Sequence, residues 1–175
     1  RPLIDAFIAS SPQIKKGALI TSWDNNAFFS IEKNGNREGY QEFKRYIYPD
    51  FATIFDFEMI EGEKNATEIP QTVLIPQSMA KKMFGDESAI GKQLTGEGWE
   101  NTIGGVYKDF PDNTVVKNII YQSISKEENL SNWRGHNYHL YLLLESPEAK
   151  DELIPNFLAN FKDAHQMGWE TMDLR

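Results

Sequence analysis

Two glycines and a lysine, Gly85, Gly91 and Lys92, lie close together in the segment MAKKMFGDESAIGKQL and could belong to a phosphate-binding loop. Such a loop has four residues between its glycines, a Ser or Thr after the lysine, and a strand before the first glycine. Here five residues separate the glycines, Gln93 follows the lysine, and the residues before Gly85 have helical spacing. The sequence therefore predicts a structural turn rather than a nucleotide site.

The same segment has the pattern of a strand, a short helix and a turn. The apolar run QTVLIP ends at Pro76, and apolar residues then recur at helical spacing from Gln77 to Phe84. Gly85 can adopt the left-handed conformation that ends many helices. We therefore predict a helix that ends at Phe84–Gly85, with four side chains partly buried: Met79, Ala80, Met83 and Phe84.

Three histidines are further candidates for metal or acid–base chemistry. His136 and His139 lie three residues apart at the start of a predicted strand, so their side chains point to opposite faces. His165 lies at the end of a predicted helix, and no arrangement of these residues predicts a metal site. No Gly-x-Ser-x-Gly motif is present. Adjacent acidic residues are typical of a solvated surface: Asp86–Glu87, Glu127–Glu128 and Asp151–Glu152. We predict no catalytic, cofactor-binding or metal-binding residues, and the partner-binding residues stay unassigned.

Composition restricts the class of protein. The chain has 175 residues, is 40% hydrophobic and carries a net charge of −8, which allows a folded core and argues against nucleic-acid binding. It has no cysteine, which excludes disulfides and thiolate chemistry. No apolar run reaches the roughly 18 residues of a membrane helix. Because the chain starts with Arg1 and stops at Arg175, we expect it to be a piece of a longer protein.

Helical and extended patterns alternate irregularly and predict an α+β fold with mixed sheets. Asn34–Gly35 predicts a hairpin turn, and a Gly-Gly bend is expected in the strand that ends at Tyr107. The last helix should carry Leu153, Phe157 and Phe161 inward, and Pro155 should kink or restart it. The predicted strands are 17–23, 27–33, 40–48, 71–76, 102–107 and 137–145, with residues 115–124 extended or mixed and helices near 3–8, 77–84 and 146–161.

Four phrases occur in order along the chain. They are PDFATIFDFEMIEG (49–62), VLIPQSMAKKMFGDESAIGKQL (73–94), IGGVYKDFP (103–111) and NYHLYLLLE (137–145). Together they resemble the extracytoplasmic core domain of MacB/FtsX-type ABC transporter permeases, especially those of Bacteroidetes. The resemblance covers nearly the whole chain and is most specific from Phe84 to Lys92. Pro76 stands where the family usually has Ser, and Lys126–Trp133 is not matched.

The resemblance implies a domain on the periplasmic side of the cell inner membrane, between the first and second membrane helices of a permease. It also implies two lobes, a porter-like lobe from residues 1–62 and 112–175 and an inserted variable lobe from residues 63–111. Both chain ends, Arg1 and Arg175, would then face the membrane, and the inserted lobe would lie at the distal end.

The resemblance further implies that the domain couples cytoplasmic ATP hydrolysis to export or to work outside the membrane. ATP would be hydrolysed by a separate ABC ATPase domain or subunit. A second permease copy and a periplasmic adaptor or substrate protein are the other expected partners, with no cofactor and no nucleic acid.

Two other classes stay open. A ligand-sensing ectodomain of a membrane receptor is also small, acidic and α+β, and a dissected enzyme domain is the third class. Further membrane helices in the parent chain would favour the permease, whereas a kinase or response domain would favour the receptor. An enzyme would need a cleft with convergent titratable groups of perturbed pKa.

We expect the isolated domain not to bind ATP, because the Gly91–Lys92 turn has neither the glycine spacing nor the hydroxyl group of a phosphate loop. Calorimetric titration with Mg-ATP should give no saturable heat. A dissociation constant in the micromolar range would contradict the structural interpretation of this segment.

Overall fold

The computed structural model describes residues 2–48, 50–124 and 137–160. Its helices are α1 (Pro2–Ser10), α2 (Phe51–Ile54), α3 (Gln77–Phe84) and α4 (Lys150–Asn160). Its strands are β1 (Ile14–Thr21), β2 (Asn25–Lys33), β3 (Asn36–Ile47), β4 (Met59–Gly62), β5 (Thr72–Pro76), β6 (Gln93–Gly96), β7 (Trp99–Tyr107), β8 (Ile120–Ser123) and β9 (Tyr138–Leu144). Lys64–Glu68 and Pro147–Ala149 form short 3-10 segments. The predicted α+β fold with mixed strand directions is confirmed.

Six of the strands close into a small barrel. Around the ring the order is β2, β6, β7, β5, β8 and β3, and β3 pairs with β2 again. The β7–β5 and β8–β3 pairs are parallel and the other four are antiparallel. Strand β1 pairs with β3 through Ile20 and Ile47 and continues the sheet to β9, while β4 pairs with β7. The barrel therefore has an extension of two strands on one side.

The barrel interior is apolar over most of its length, and α3 closes one end. Pro76 ends β5 and offers no side-chain cap to α3, so the carboxylate of Asp109 accepts hydrogen bonds from the Ser78 amide (3.2 Å) and hydroxyl (3.1 Å). Gly85 ends the helix with a φ of 65°. The predicted helix is confirmed, and so is the burial of its four apolar side chains: Met79, Ala80, Met83 and Phe84.

The predicted bend at Gly104–Gly105 is a β-bulge between β5 and β7. A side chain at Gly104 would collide with Thr72 and Ala66, and one at Gly105 would collide with Leu74. Glycine is therefore required here because neighbouring segments approach the backbone closely. The hairpin at Asn34–Gly35 is also confirmed, with positive φ at both residues.

An aromatic cluster packs outside the barrel, beneath α2. The ring of Phe57 lies 4.8 Å from Tyr107, 4.9 Å from Phe110 and 5.4 Å from Tyr121, between centroids. The Tyr107 hydroxyl donates to the Ile119 carbonyl (2.7 Å) and accepts from the Ile119 amide (3.0 Å). Burial raises the pKa of Tyr107 well above its ordinary value, so this hydroxyl keeps its proton for the hydrogen bond.

Helices α1 and α4 pack side by side over β1 and β9. The rings of Phe7 and Phe157 stack with centroids 4.2 Å apart, and Leu153 is buried beside them, as predicted. The predicted inward position of Phe161 lies outside the described residues. Helix α4 runs unbroken through Pro155, so this proline does not restart the helix. Leu153 and Phe157 are buried on either side of Pro155 and anchor the helical turns before and after it.

The segment that follows α1 and the segment that precedes α4 meet each other. Glu145 donates its amide hydrogen to the Gln13 carbonyl (2.9 Å), which joins the α1–β1 turn to the end of β9. Because α4 begins there and α1 ends there, the start of α1 and the end of α4 both point away from this junction. The predicted orientation of Arg1 and Arg175 themselves lies outside the described residues.

The predicted division into two lobes stays a prediction. The barrel takes β2, β3 and β8 from the predicted porter-like lobe and β5, β6 and β7 from the predicted insert. Across the described ranges, no helix is long and apolar enough to cross a membrane.

We expect Phe84→Ala to destabilise the domain by about 3 kcal/mol or more, because it removes a buried ring at the barrel end that α3 closes. Phe28→Ala is the matched control: Phe28 is 64% exposed and Phe84 is 4% exposed. The control should change the free energy of unfolding by less than about 0.5 kcal/mol. Urea unfolding of both variants measures the difference, and equal destabilisation would show that α3 does not close the barrel.

Candidate functional site

The Gly85–Lys92 segment is held by structural contacts. The Lys92 ammonium group lies 2.6 Å from the Glu87 carboxylate and 4.5 Å from the centre of the Phe84 ring. The Gly91 amide donates to the Ile103 carbonyl (2.8 Å), with a φ of 78° at Gly91. The hydrogen bond from Lys92 lowers the pKa of Glu87. Lys92 therefore serves the packing of Phe84 and the turn.

The other residues considered for chemistry do not converge in the described part of the chain. His139 is exposed on β9, opposite Ile20 of β1, whereas His136 and His165 lie outside the described residues. Among residues 2–48, 50–124 and 137–160, no group of three or more His, Asp or Glu side chains is placed to hold a metal ion. The acidic pairs at 86–87 and 151–152 are exposed, and the pair at 127–128 is not described.

A charge network that the sequence analysis missed joins three distant segments. Asp24, in the turn between β1 and β2, accepts from Arg45 Nε (2.5 Å) and from Lys117 Nζ (2.6 Å). Partial burial raises the pKa of Asp24, but the hydrogen bonds from Lys117 and Arg45 outweigh this and lower it overall. The network ties the loop before β8 to β3. Arg45 is 21 residues and Lys117 is 93 residues from Asp24 in the sequence. No local motif could therefore have identified this network.

The barrel end opposite α3 contains a polar cluster. Lys44 is buried, donates to Gln122 Oε1 (3.1 Å) and lies 4.2 Å from the centre of the Trp99 ring. Asn101, two residues further along β7, is 2% exposed, and its side-chain amide has no hydrogen-bond partner among the described residues. Trp99 packs directly on Gly96, where any side chain would collide with the indole ring. Trp99 thereby covers this end of the barrel.

An open groove of about 370 Å³ lies in the barrel wall near α3. It follows the line where β2 and β6 separate, and the floor is formed by Ile31 and Phe84. Its walls are polar and carry two cationic and two acidic side chains. The lining residues are Ser30, Ile31, Glu32, Arg37, Phe84, Gly91, Lys92, Gln93, Thr95 and Glu100. No sequence motif marks this groove, because it results from the pairing of distant strands.

The outer surface of the β2–β3 hairpin also displays apolar side chains. Phe28 and Phe43 both point away from the barrel interior and are exposed. Phe28 lies opposite Gln41, and Phe43 lies opposite Asn26, so the two rings are diagonal neighbours.

The sequence of this chain matches one family of domains, and its fold matches several solved structures. The sequence matches the family model described as MacB-like periplasmic core domain over residues 2–156. A solved domain assigned to a permease from Porphyromonas gingivalis is 28% identical, with a TM-score of 0.73 over 93% of this chain and 70% of that one. A search among curated proteins gave no match.

Two more distant structures share the fold. The periplasmic region of MacB from Actinobacillus actinomycetemcomitans is 14% identical, with a TM-score of 0.63 over 98% of this chain and 84% of that one. The extracellular domain of the noncanonic ABC-type transporter YknZ from Gram-positive bacteria is also 14% identical, with a TM-score of 0.59 over 93% and 83% of the two chains.

We expect Asp24→Asn to destabilise the domain by about 1.5–3 kcal/mol at pH 7, because it removes the charge that Arg45 and Lys117 face. Since the folded-state pKa of Asp24 is lowered, its contribution is present above the ordinary aspartate pKa and is lost as pH falls through the folded value. The stability difference between wild type and Asp24→Asn should therefore shrink below about pH 4.

Asp56→Asn provides the control for this measurement. Asp56 also has a lowered pKa through its hydrogen bond from Lys64, but its side chain is 93% exposed, compared with 22% for Asp24. Its substitution should leave the melting temperature unchanged, since exposed pairs are screened by solvent. If both variants lose the same stability at pH 7, the Asp24 network contributes no more to stability than an ordinary surface ion pair.

Proposed function

This chain belongs to the MacB-like periplasmic core domain family, and from that premise we propose how it works within an ABC-type transporter permease. We infer that it couples ATP hydrolysis in the cytoplasm to export, or to mechanical work on a substrate outside the membrane. The family match over residues 2–156 carries this proposal. The ATPase would be a separate cytoplasmic domain or subunit, and two permease copies would form the transporter in the cell inner membrane.

The arrangement of α1 and α4 supports this attachment. In the proposed topology a membrane helix precedes α1, and the residues after α4 lead to the next membrane helix. The start of α1 and the end of α4 both point away from the junction of Gln13 with Glu145. Both connections to the membrane can then leave the domain on the same side, as two consecutive membrane helices require.

The packing of these helices offers a route for coupling. Phe7 and Phe157 stack directly, and both rings are buried. Ile4 is buried in a cluster with Leu19 of β1 and Tyr48. A packed interior transmits displacement because it is nearly incompressible. A shift of either membrane helix would therefore move α1 and α4 as a pair, together with the strands β1 and β9 beneath them.

We also propose that the inserted segment, residues 63–111, forms the part of the domain that meets periplasmic partners. It contributes β5, α3, β6 and β7 to the barrel, whereas the helices that lead towards the membrane contact β1 and β9. An adaptor or a substrate protein that approaches from the periplasm would then contact the barrel rather than the α1–α4 layer.

The domains that accompany this segment in the parent chain distinguish a permease from a ligand-sensing receptor. Further membrane helices and a neighbouring ABC ATPase gene are expected for the permease. A kinase or response domain after the next membrane helix would instead identify a receptor and would overturn the proposal.

The location can be tested with single cysteines, because the chain has none of its own. In a cysteine-free version of the parent protein, Asn113→Cys should react with a membrane-impermeant maleimide in cells whose inner membrane is intact, since Asn113 is exposed. Ala18→Cys is the matched control and should react only after denaturation, because Ala18 is fully buried. Labelling of Asn113→Cys only after the inner membrane is broken would place the domain in the cytoplasm.

A further inference from the structure

The barrel wall is incomplete between β2 and β6. The two strands pair only through Phe29 with Gly96 and Ser30 with Thr95. Strand β2 then continues to Lys33 along β3, and β6 begins at Gln93 along β7. The next two positions of each strand face each other without pairing, and the groove of about 370 Å³ lies there.

The backbone groups that face this groove follow from the two hairpins beside it. Lys33 and Asn36 flank the two-residue turn of the β2–β3 hairpin, so they form a hydrogen-bonded pair, and such pairs alternate along the strands. Residues 31 and 29 therefore bond to β3. The amide and carbonyl groups of Glu32 point the other way, into the groove.

The backbone groups of β6 that face the groove follow from the β6–β7 hairpin. Gly96 and Trp99 flank the turn of the β6–β7 hairpin, so Gly96 and Leu94 bond to β7. The amide and carbonyl groups of Gln93 and Thr95 point towards β2. Thr95 meets Ser30 there, whereas Gln93 and Glu32 face each other across the groove without pairing.

The lining of the groove indicates what could occupy it. Two unpaired strand edges offer backbone donors and acceptors at the spacing of a β-strand, which an extended polypeptide satisfies. Arg37 and Lys92 are balanced by Glu32 and Glu100, so the lining carries no net charge and does not select a small anion or cation. The polar walls also favour polar side chains over a large apolar anchor.

We propose that this groove binds an extended segment of a partner polypeptide by strand addition to the free edges at Gln93 and Glu32. This deepens the proposed function, because it names the surface by which the domain would hold a periplasmic adaptor or substrate protein. The binding itself requires only the domain and is independent of transport.

Proline substitution at Gln93 tests the proposal. Gln93→Pro removes the amide hydrogen that faces the groove and leaves the hydrogen bonds between β6 and β7 in place, since those come from Leu94 and Gly96. Gln93→Ala is the control, because it removes the side chain and keeps the amide hydrogen. Proline at the first residue of a strand is compatible with the sheet, and equal melting temperatures of the two variants confirm that both fold.

The probe is a phage-displayed library of random heptapeptides, selected on the immobilised wild-type domain. Selected peptides should bind Gln93→Pro at least about fivefold more weakly than wild type, as expected for one lost backbone hydrogen bond. They should bind Gln93→Ala within twofold. Failure to select any peptide, or equal binding to both variants, would overturn the proposal.

Amide hydrogen exchange of the wild-type domain gives a second measurement that needs no variant. The amides of Glu32 and Gln93 should exchange rapidly in the free domain and slowly when a selected peptide is bound. The amides of Ile31 and Leu94, which bond to β3 and β7, should be protected in both states. Slow exchange of Glu32 and Gln93 in the free domain would show that their edges are already paired, and would also overturn the proposal. If the permease transports normally but its domain selects no peptide, peptide binding in the groove is refuted and the proposed transport function is not.

Discussion

The buried ring of Phe57 holds together the segments that surround one end of the barrel. Its contacts with Tyr107, Phe110 and Tyr121 join the end of β7, the following loop and β8 beneath α2. Because Phe110 is held there, Asp109 is placed where it can cap α3 through Ser78. Helix α3 in turn closes the barrel. The cap at the start of α3 is therefore linked to an aromatic contact outside the barrel, while the four buried side chains of α3 hold the helix in the barrel end.

The groove in the barrel wall lies where β2 and β6 stop pairing. Strand β3 has twelve residues and keeps β2 paired along its whole length, whereas β6 has only four residues. Only Thr95 and Gly96 of β6 pair with β2, and Gln93 and Leu94 face β2 without pairing, so the hydrogen bonding between the two strands has a gap. Exposed edges of this kind invite pairing with another chain. In this domain the gap is short, and the groove beside it is lined by two cationic and two acidic side chains: Arg37, Lys92, Glu32 and Glu100.

The surfaces proposed for attachment and for partner binding lie on different strands. Helices α1 and α4 cover β1 and β9, while the groove lies between β2 and β6. The two regions are connected through β3, which pairs with β1 at one end and with β2 along most of its length. In the proposed coupling, β3 is the strand that would connect the helix pair to the groove. The Asp24 network also joins the turn between β1 and β2 to β3 and to the loop before β8.

Several local elements and the family could be predicted from the sequence. Helix α3 with its glycine end, the Asn34–Gly35 hairpin and the bulge at Gly104–Gly105 each depend on the conformational limits of one or two residues, and such limits are visible in a single chain. The family could be predicted because four phrases occur in order along the chain, and they carry aromatic residues and turns of this domain's own core. Four features could not be predicted because they form only on folding: closure of the barrel, the Asp24 network, the polar cluster at Lys44 and the groove. Each of these brings together residues that are distant in sequence, and the pairing of strands, rather than any local preference, determines which of them meet.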